Sequence, residues 1–383
     1  MSTNGSSIRT VPQDLVDQWG SQQYQFKKLA YVLSGVDIES FNLAVVNLMS
    51  IQKSSSDGAV SNYVIVVDES LRQKDARQYI QLRKLASDHG IRIKSIMGTS
   101  KAEVEFHVFG LTEYDRVVYL DPRSLILPKQ KKINANTETL SSYTIDNSNV
   151  DELFGIPPAV NFSASVAYRN VQLDHVKTEH YFIQSVEQLP PLVWHREKQH
   201  YNNPESLFNT ELMVITPSKL FFNALKKQYT RMVHKPWYTL GDHSIEVTSS
   251  EVINAVVLKM PLNVIALPHK TYGLLSNEFR STIHTCYSED GGDDWDAIEA
   301  IETARVVHYA DDPIPPPWQQ PVLIDSHEPY NSLLLYCFDA SFDIDRFTIQ
   351  YPTPNSRPML TRDCDSVRIW NWLRTQWTKM ATL

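Results

Sequence analysis

The chain has no stretch of eighteen consecutive apolar residues, which excludes a membrane-spanning helix of ordinary length. It has few cysteines: Cys286, Cys337 and Cys364, widely spaced and odd in number, form neither a disulfide framework nor a zinc-site spacing, and they suit a reducing compartment. The polar start MSTNGSSIRTVPQDL lacks the apolar core of a signal peptide. Asn4-Gly5-Ser6 and Asn161-Phe162-Ser163 have the form of glycosylation sequons, but without a secretion signal they read as chance, and a cytoplasmic protein is expected. Long basic runs are also missing. The net charge is −8, and the one short cluster, Lys129 to Lys132, reads as a solvated loop, so nucleic acid is not an expected partner. No Gly-x-Gly-x-x-Gly follows the first predicted strand, which disfavours an ordinary dinucleotide-binding domain. No internal repeat is visible.

What is present is an alternation of strands and helices. With 383 residues and 42% hydrophobic content, the chain can bury a sizeable core. Strands are predicted at 27–35, 62–70, 91–97 and 116–120, with helices at 41–52, 76–90 and 103–111, the second closed by Gly90. This order implies a parallel sheet. A polar insertion follows at 129–150, then strands at 159–166 and 210–217 with a surface elaboration, 172–206, between them. A helix is expected at 250–258 and strands at 262–268 and 304–310. The stretch DDPIPPPW, 311–318, cannot continue a sheet, because proline lacks the amide hydrogen. The tail DSVRIWNWLRTQW, 365–377, suits an amphipathic helix packing back on the domain through Val367, Ile369, Trp370 and Leu373. The organisation expected is a disordered or extended segment over 1–25, a single domain over 26–325 (halves 26–128 and 151–325), and a C-terminal extension over 326–383.

The chemistry concentrates at one strand end. In DRVVYLDPRSLIL, 115–127, an apolar strand runs into Asp121 at its C-terminal end, where open α/β sheets place ligands. A second acid two residues later would complete a metal-binding Asp-x-Asp, but Arg123 stands there. Three literal Asp-x-Asp triplets, at 294–296, 343–345 and 363–365, do not follow apolar strands and read as helix starts or polar turns.

The blocks LTEYDRVVYLD (111–121), FNTELMVITPS (208–218), LPHKTYGLLSNEFR (267–280) and VVHYADDPIPPPW (306–318) together resemble glycosyltransferase family 8, the glycogenin-like enzymes, over roughly residues 27–320. The fungal N-acetylglucosaminyltransferase-like branch is the nearest in pattern. The resemblance implies a GT-A fold, a Rossmann-like and mostly parallel sheet flanked by helices, with a nucleotide-sugar at the C-terminal strand ends. It further implies transfer with retention of anomeric configuration and a manganese ion acting as a Lewis acid on the leaving phosphate. The metal ligands would be both acids of Asp-x-Asp and the late histidine. Asp121 and His308 match; Arg123 does not. By the same resemblance, Ser34 and Asp37 sit where the nucleoside base belongs, Asp121, Arg123 and His308 in the donor region, and Asn209 at the donor or acceptor hydroxyls; Asn209 and Glu211 are the expected catalytic residues, shaping the sugar site.

Arg123 is one departure among several. A family lysine in the helix before LTEYD corresponds to Glu105, a lysine before the final Pro-Trp to Pro316, and the acid opening a D-x-x-x-x-N helix to Ser249, although Glu251 and Asn254 remain. Thr210 and Glu211 replace small residues. Arginine chelates phosphate oxygens bidentately, so Arg123 is able to stand where manganese would. Alternatively, Glu105 or Glu211 pairs with Arg123 and closes the site. Two functions therefore stand side by side: a glycosyltransferase using a UDP-sugar, UDP-GlcNAc or UDP-glucose, on an unknown glycan, protein or small-molecule acceptor; and a catalytically inactive GT-A-like binding or scaffold protein. An unrelated Rossmann-like enzyme would require a different strand order.

Overall fold

The computed structural model describes residues 11–22, 25–55, 60, 62–97, 100–128, 149–166, 208–234, 247–257, 259–260, 262–279, 297–309, 316–318, 322–324, 348–350, 359–360 and 364–381. The polar insertion up to residue 148 and the segment 172–206 lie outside them.

The described chain begins with a correction. Residues 13–20, expected to be disordered or extended, form helix α1 (Gln13–Gly20), with Pro12 at its N-cap. Val16 is completely buried, and Gln13 donates to the Tyr272 hydroxyl at 3.0 Å. Just before the helix, the Val11 amide bonds the Ala266 carbonyl at 3.0 Å. The apolar set of Val11, Val16 and Trp19 was too short a pattern to announce a helix, and tertiary burial supplies what propensity does not.

Next come β1 (Leu29–Gly35), α2 (Ile38–Ser54), β2 (Asn62–Asp68), a short α3 (Leu71–Lys74), α4 (Ala76–Asp88), β3 (Arg92–Ile96), α5 (Lys101–Phe106) with a 3-10 turn over His107–Gly110, and β4 (Arg116–Leu120). Gly90 ends α4 with φ of 68°, the left-handed conformation that glycine adopts without a Cβ penalty. After β5 (Ser124–Ile126) and β6 (Phe162–Val166), β7 (Phe208–Ile215) leads into α6 (Lys219–Val233), a helix absent from the sequence reading. Its signal was Ser218, whose Oγ accepts from the Leu220 and Phe221 amides, ahead of buried Phe221, Leu225 and Met232. Then follow α7 (Ser249–Val257), β8 (Val264–Leu267), α8 (His269–Tyr272), β9 (Leu274–Leu275), α9 (Ala297–Thr303), β10 (Val306–His308), β11 (Val322–Ile324), β12 (Thr348–Gln350), β13 (Met359–Leu360) and α10 (Cys364–Ala381).

The central sheet has seven strands in the order β3-β2-β1-β4-β7-β6-β8. Pairings β1–β2, β2–β3, β1–β4 and β6–β8 are parallel; β7 runs antiparallel to both β4 and β6. The sheet is therefore mostly parallel and flanked by helices, the Rossmann-like arrangement that a GT-A fold requires. Every residue of β1 is buried, as a strand covered on both faces must be. Ala30 and Val32 pack with α5, α6 and α7 on one face; Leu29, Tyr31 and Leu33 pack with α2 and α4 on the other. A third core joins Leu43 of α2 and Val307 of β10 to Ile369, Leu373 and Trp377 of α10. Trp318 lies between Tyr309 and Trp377 and donates to Glu39 at 3.0 Å.

Topology places the site. Successive strands step outward from β1 to β3, and then α5 carries the chain back to β4 on the other side of β1. The strand order reverses between β1 and β4, and outside the carboxyl ends at such a reversal is where open α/β sheets bind their ligands. Because β7 is antiparallel, with Leu212 opposite Leu120, its first residues arrive at that same edge.

A close approach holds α1 in place. A Cβ built on Gly155, in the 3-10 turn over Asp151–Gly155, would collide with the Trp19 backbone carbonyl. Gly155→Ala is therefore expected to cost about 2 kcal/mol, since backbone has to move to admit the methyl. A chemical-denaturation midpoint indistinguishable from that of the parent chain would contradict this.

Candidate active site

Four elements converge at the switch point. Ser34 is the last residue but one of β1, buried, and its Oγ lies 3.1 Å from the Tyr119 hydroxyl of β4. Asp121 follows β4, half-buried, with its amide bonded to the Glu211 carbonyl of β7 at 2.6 Å. Its Oδ1 accepts the Arg123 amide at 2.8 Å, a tight turn that fixes the carboxylate at the strand end. Burial pushes the Asp121 carboxyl above its ordinary range, against the opposing charge of Lys101 and the Arg123 amide bond. Burial likewise raises the Tyr119 phenol well above its usual value, reinforced by Glu105, Asp121 and Glu211. Three carboxylates thus surround one buried phenol.

Glu105 is the most altered acid. It projects from α5, 7% exposed, and is hydrogen-bonded to the hydroxyl of Ser249 at the start of α7. Burial and then neighbouring Asp121 raise its carboxyl, while Lys101 and Ser249 lower it; the result is about 7. Positions 105 and 249 were two separate departures from the resembled pattern, one a lost lysine and one a lost acid. Here they touch, so they form one coupled change. The alternative in which Glu105 or Glu211 pairs with Arg123 is not what the chain does. Arg123 is exposed and forms no ion pair with either residue among the described residues.

Other expected site residues are occupied internally. His308 is fully buried; its Nε2 donates to the Tyr272 carbonyl at 2.8 Å, which leaves Nδ1 to accept from Ser124 Oγ at 2.6 Å. Burial holds its pKa down to about 4, so the ring is neutral and both nitrogens are engaged. The expected role of His308 as a donor or metal ligand is therefore corrected: no lone pair is left for it. Asn209 is buried, its Oδ1 accepting the Glu211 amide at 2.9 Å and its Nδ2 donating to the Gly273 carbonyl at 3.4 Å. Asp37 is exposed at the N-cap of α2, where it and Ser40 cap each other's amides. Glu251 closes a capping box with Thr248, and Asn254 bonds both the amide and the carbonyl of Phe208. Pro316 is buried.

These residues do not fit a manganese ion. The second acid of the motif is an arginine, the histidine has no free nitrogen, and one Asp121 oxygen already holds an amide. No cluster of three histidine, cysteine or acidic side chains able to hold a metal occurs among the described residues.

Sequence reading missed Lys101. It is exposed, opens α5, and lies one helical turn before Glu105, so both share a face directed at Asp121. Its charge acts on both acids. The four-residue spacing in SKAEVEF was the available signal.

With this geometry in view, comparison with known proteins is informative. The chain is similar to fungal glucose N-acetyltransferases. It is 29% identical to glucose N-acetyltransferase 1 of Debaryomyces hansenii over 430 aligned positions, spanning 98% of this chain and 89% of that one. The corresponding Candida albicans protein is 27% identical, over 98% of this chain and 88% of its own length. No family model matches. Among solved structures, the WbbM bifunctional glycosyltransferase is similar with a TM-score of 0.45 and 13% identity, over 77% of this chain and 48% of that one. The galactosyltransferase LgtC, bound to donor and acceptor sugar analogues, gives a TM-score of 0.40 and 14% identity, over 76% and 90% of the two chains. Among the described residues, no helix is long and apolar enough to cross a membrane.

Proposed function

We propose that this protein is a glycosyltransferase that moves a sugar from a nucleotide sugar, UDP-GlcNAc or UDP-glucose, to a hydroxyl acceptor with retention of anomeric configuration. The observation that carries this reading is the convergence of Ser34, Asp121, Arg123 and Glu211 at the reversal point of a mostly parallel sheet, where nucleotides bind by fold physics. The full-length similarity to proteins named glucose N-acetyltransferase supports it. Asp121, an acceptor-only group when ionised, suits a ribose or sugar hydroxyl rather than a phosphate oxygen. Arg123 and Lys101 suit the phosphates. Half-buried Glu211 stands beside Asp121 across the β4–β7 pairing, within reach of the same bound sugar.

Calorimetric titration with UDP, GDP, ADP and UDP-sugars tests the reading. Asp121→Asn keeps the oxygen that accepts the Arg123 amide, so it is expected to fold normally while binding UDP-sugar about tenfold more weakly, the loss of one charged hydrogen bond. Absence of binding to every nucleotide at millimolar concentration would overturn the proposal.

A second reading, a non-catalytic binding module, draws on the internal engagement of Asn209 and His308, which leaves fewer side chains free for chemistry. Any hydrolysis of, or transfer from, a UDP-sugar by the purified chain excludes it.

A further inference from the structure

We propose that the donor diphosphate is held by two side-chain cations, Lys101 and Arg123, and that no divalent metal takes part. The inference rests on the nucleotide-sugar reading above and goes beyond it by naming how the phosphates are neutralised.

A nucleoside diphosphate needs about two positive charges to offset its bridging region in a partly buried cleft. One divalent ion supplies them in a single atom; two monovalent side chains supply the same total from two directions. This chain has lost the donor set for the first solution. The motif's second acid is Arg123, both nitrogens of His308 are committed, and Asp121 spends one oxygen on an amide.

It has the parts for the second. Arg123 is anchored at both flanks of its backbone: its amide bonds Asp121, and its carbonyl accepts from the Tyr309 amide at 3.0 Å. Its guanidinium is therefore tethered at the carboxyl edge of β4 yet exposed. Lys101 is exposed at the start of α5, one helical turn before Glu105, and its charge reaches both Glu105 and Asp121. Neither cation has an ion-pair partner among the described residues. Two exposed cations, one held by its backbone to a strand-end aspartate and one whose charge reaches the same aspartate, are available to an anion.

The coupled change at positions 105 and 249 fits this arrangement. The Glu105 carboxyl accepts from the Ser249 hydroxyl, and among the described residues Lys101 makes no hydrogen-bonded ion pair with it.

The experiment is a titration of the full chain with UDP in EDTA and again in excess manganese, repeated for Lys101→Met and Arg123→Met. The proposal expects affinities within about twofold of each other in the two buffers, and a loss of about tenfold in each variant. Both substituted side chains are exposed, and unchanged thermal midpoints will show that the variants fold. Arg123→Lys should recover part of the loss by restoring charge without the bidentate fork. UDP bound in manganese but not in EDTA overturns the metal-free proposal and leaves the glycosyltransferase reading standing. Variants that bind UDP like the parent overturn the assignment of the two cations. No binding to UDP, GDP or ADP in either buffer overturns both this inference and the reading beneath it.

Discussion

Glu105→Gln is expected to stabilise the protein at pH 8 by roughly 3 kcal/mol and to leave its stability near pH 4 unchanged. Glu105 is buried on α5, and its carboxyl is raised from the ordinary 4.5 to about 7 by burial first and by Asp121 second. Between those two values, the folded chain holds a proton that the unfolded chain has released. Stability therefore falls as pH rises from about 4.5 to about 7, and the loss is complete above. Glutamine is neutral throughout and keeps an oxygen and an amide for the Ser249 hydroxyl, so it removes the burial penalty without opening a cavity. Urea denaturation of both proteins from pH 4 to 8 checks this. Parallel pH profiles for the two would mean that Glu105 is ionised in the fold at neutral pH and that its environment is not the one described.

Arg116→Met is expected to destabilise the protein by about 3 kcal/mol. Arg116 begins β4 with its side chain wholly buried. Its guanidinium donates to the carbonyls of Val160 at 2.9 Å, Pro157 at 3.1 Å and Ile156 at 3.4 Å, and sits 4.6 Å over the Phe26 ring. Among the described residues no carboxylate is bonded to it, and burial lowers its pKa to about 10, so it remains charged at neutral pH. Methionine fills a similar volume but removes a charged donor from three carbonyls that follow the 3-10 turn, leaving Val160 with Thr216 Oγ1 alone, Pro157 with the Val160 amide alone, and Ile156 without its donor. Arg116→Lys should recover part of the loss, because one ammonium cannot span three acceptors that a planar fork reaches together. A change in denaturation midpoint equivalent to less than about 0.5 kcal/mol would show that water replaces the guanidinium there.

Both effects arise from residues that sequence patterns pass over. Arg116 reads as a polar residue introducing an apolar run, and nothing local says that it is the most buried cation described. Glu105 drew notice only as a missing lysine, because its partner Ser249 is 144 residues away. The same distance argument covers His308, engaged from both sides by Ser124 and by Tyr272. In sequence it looks like a lone histidine in an apolar strand, more often a core residue than a metal ligand. Helix α6 is faint in sequence for a different reason: its buried apolar positions, Phe221, Leu225 and Met232, are diluted by polar residues, and its start is marked only by the Ser218 cap. Helix α1 was misread because its apolar face is a single turn wide.

The sequence by itself determined the alternation of strands and helices and the placement of Asp121 at a strand end, because hydrophobic period and breaker residues act over a few neighbours. It also determined that the second position of the motif is a cation, which no fold can alter. Only the tertiary structure decided which side chains remain available. Strand order brings the first residues of β7 to Asp121 and sets α5 against α7. Those juxtapositions commit Asn209, His308 and Glu105 to internal bonds while leaving Lys101 and Arg123 exposed. Periodicity reports burial along one element; hydrogen-bond commitment depends on what the other elements place opposite it, and that is set by topology.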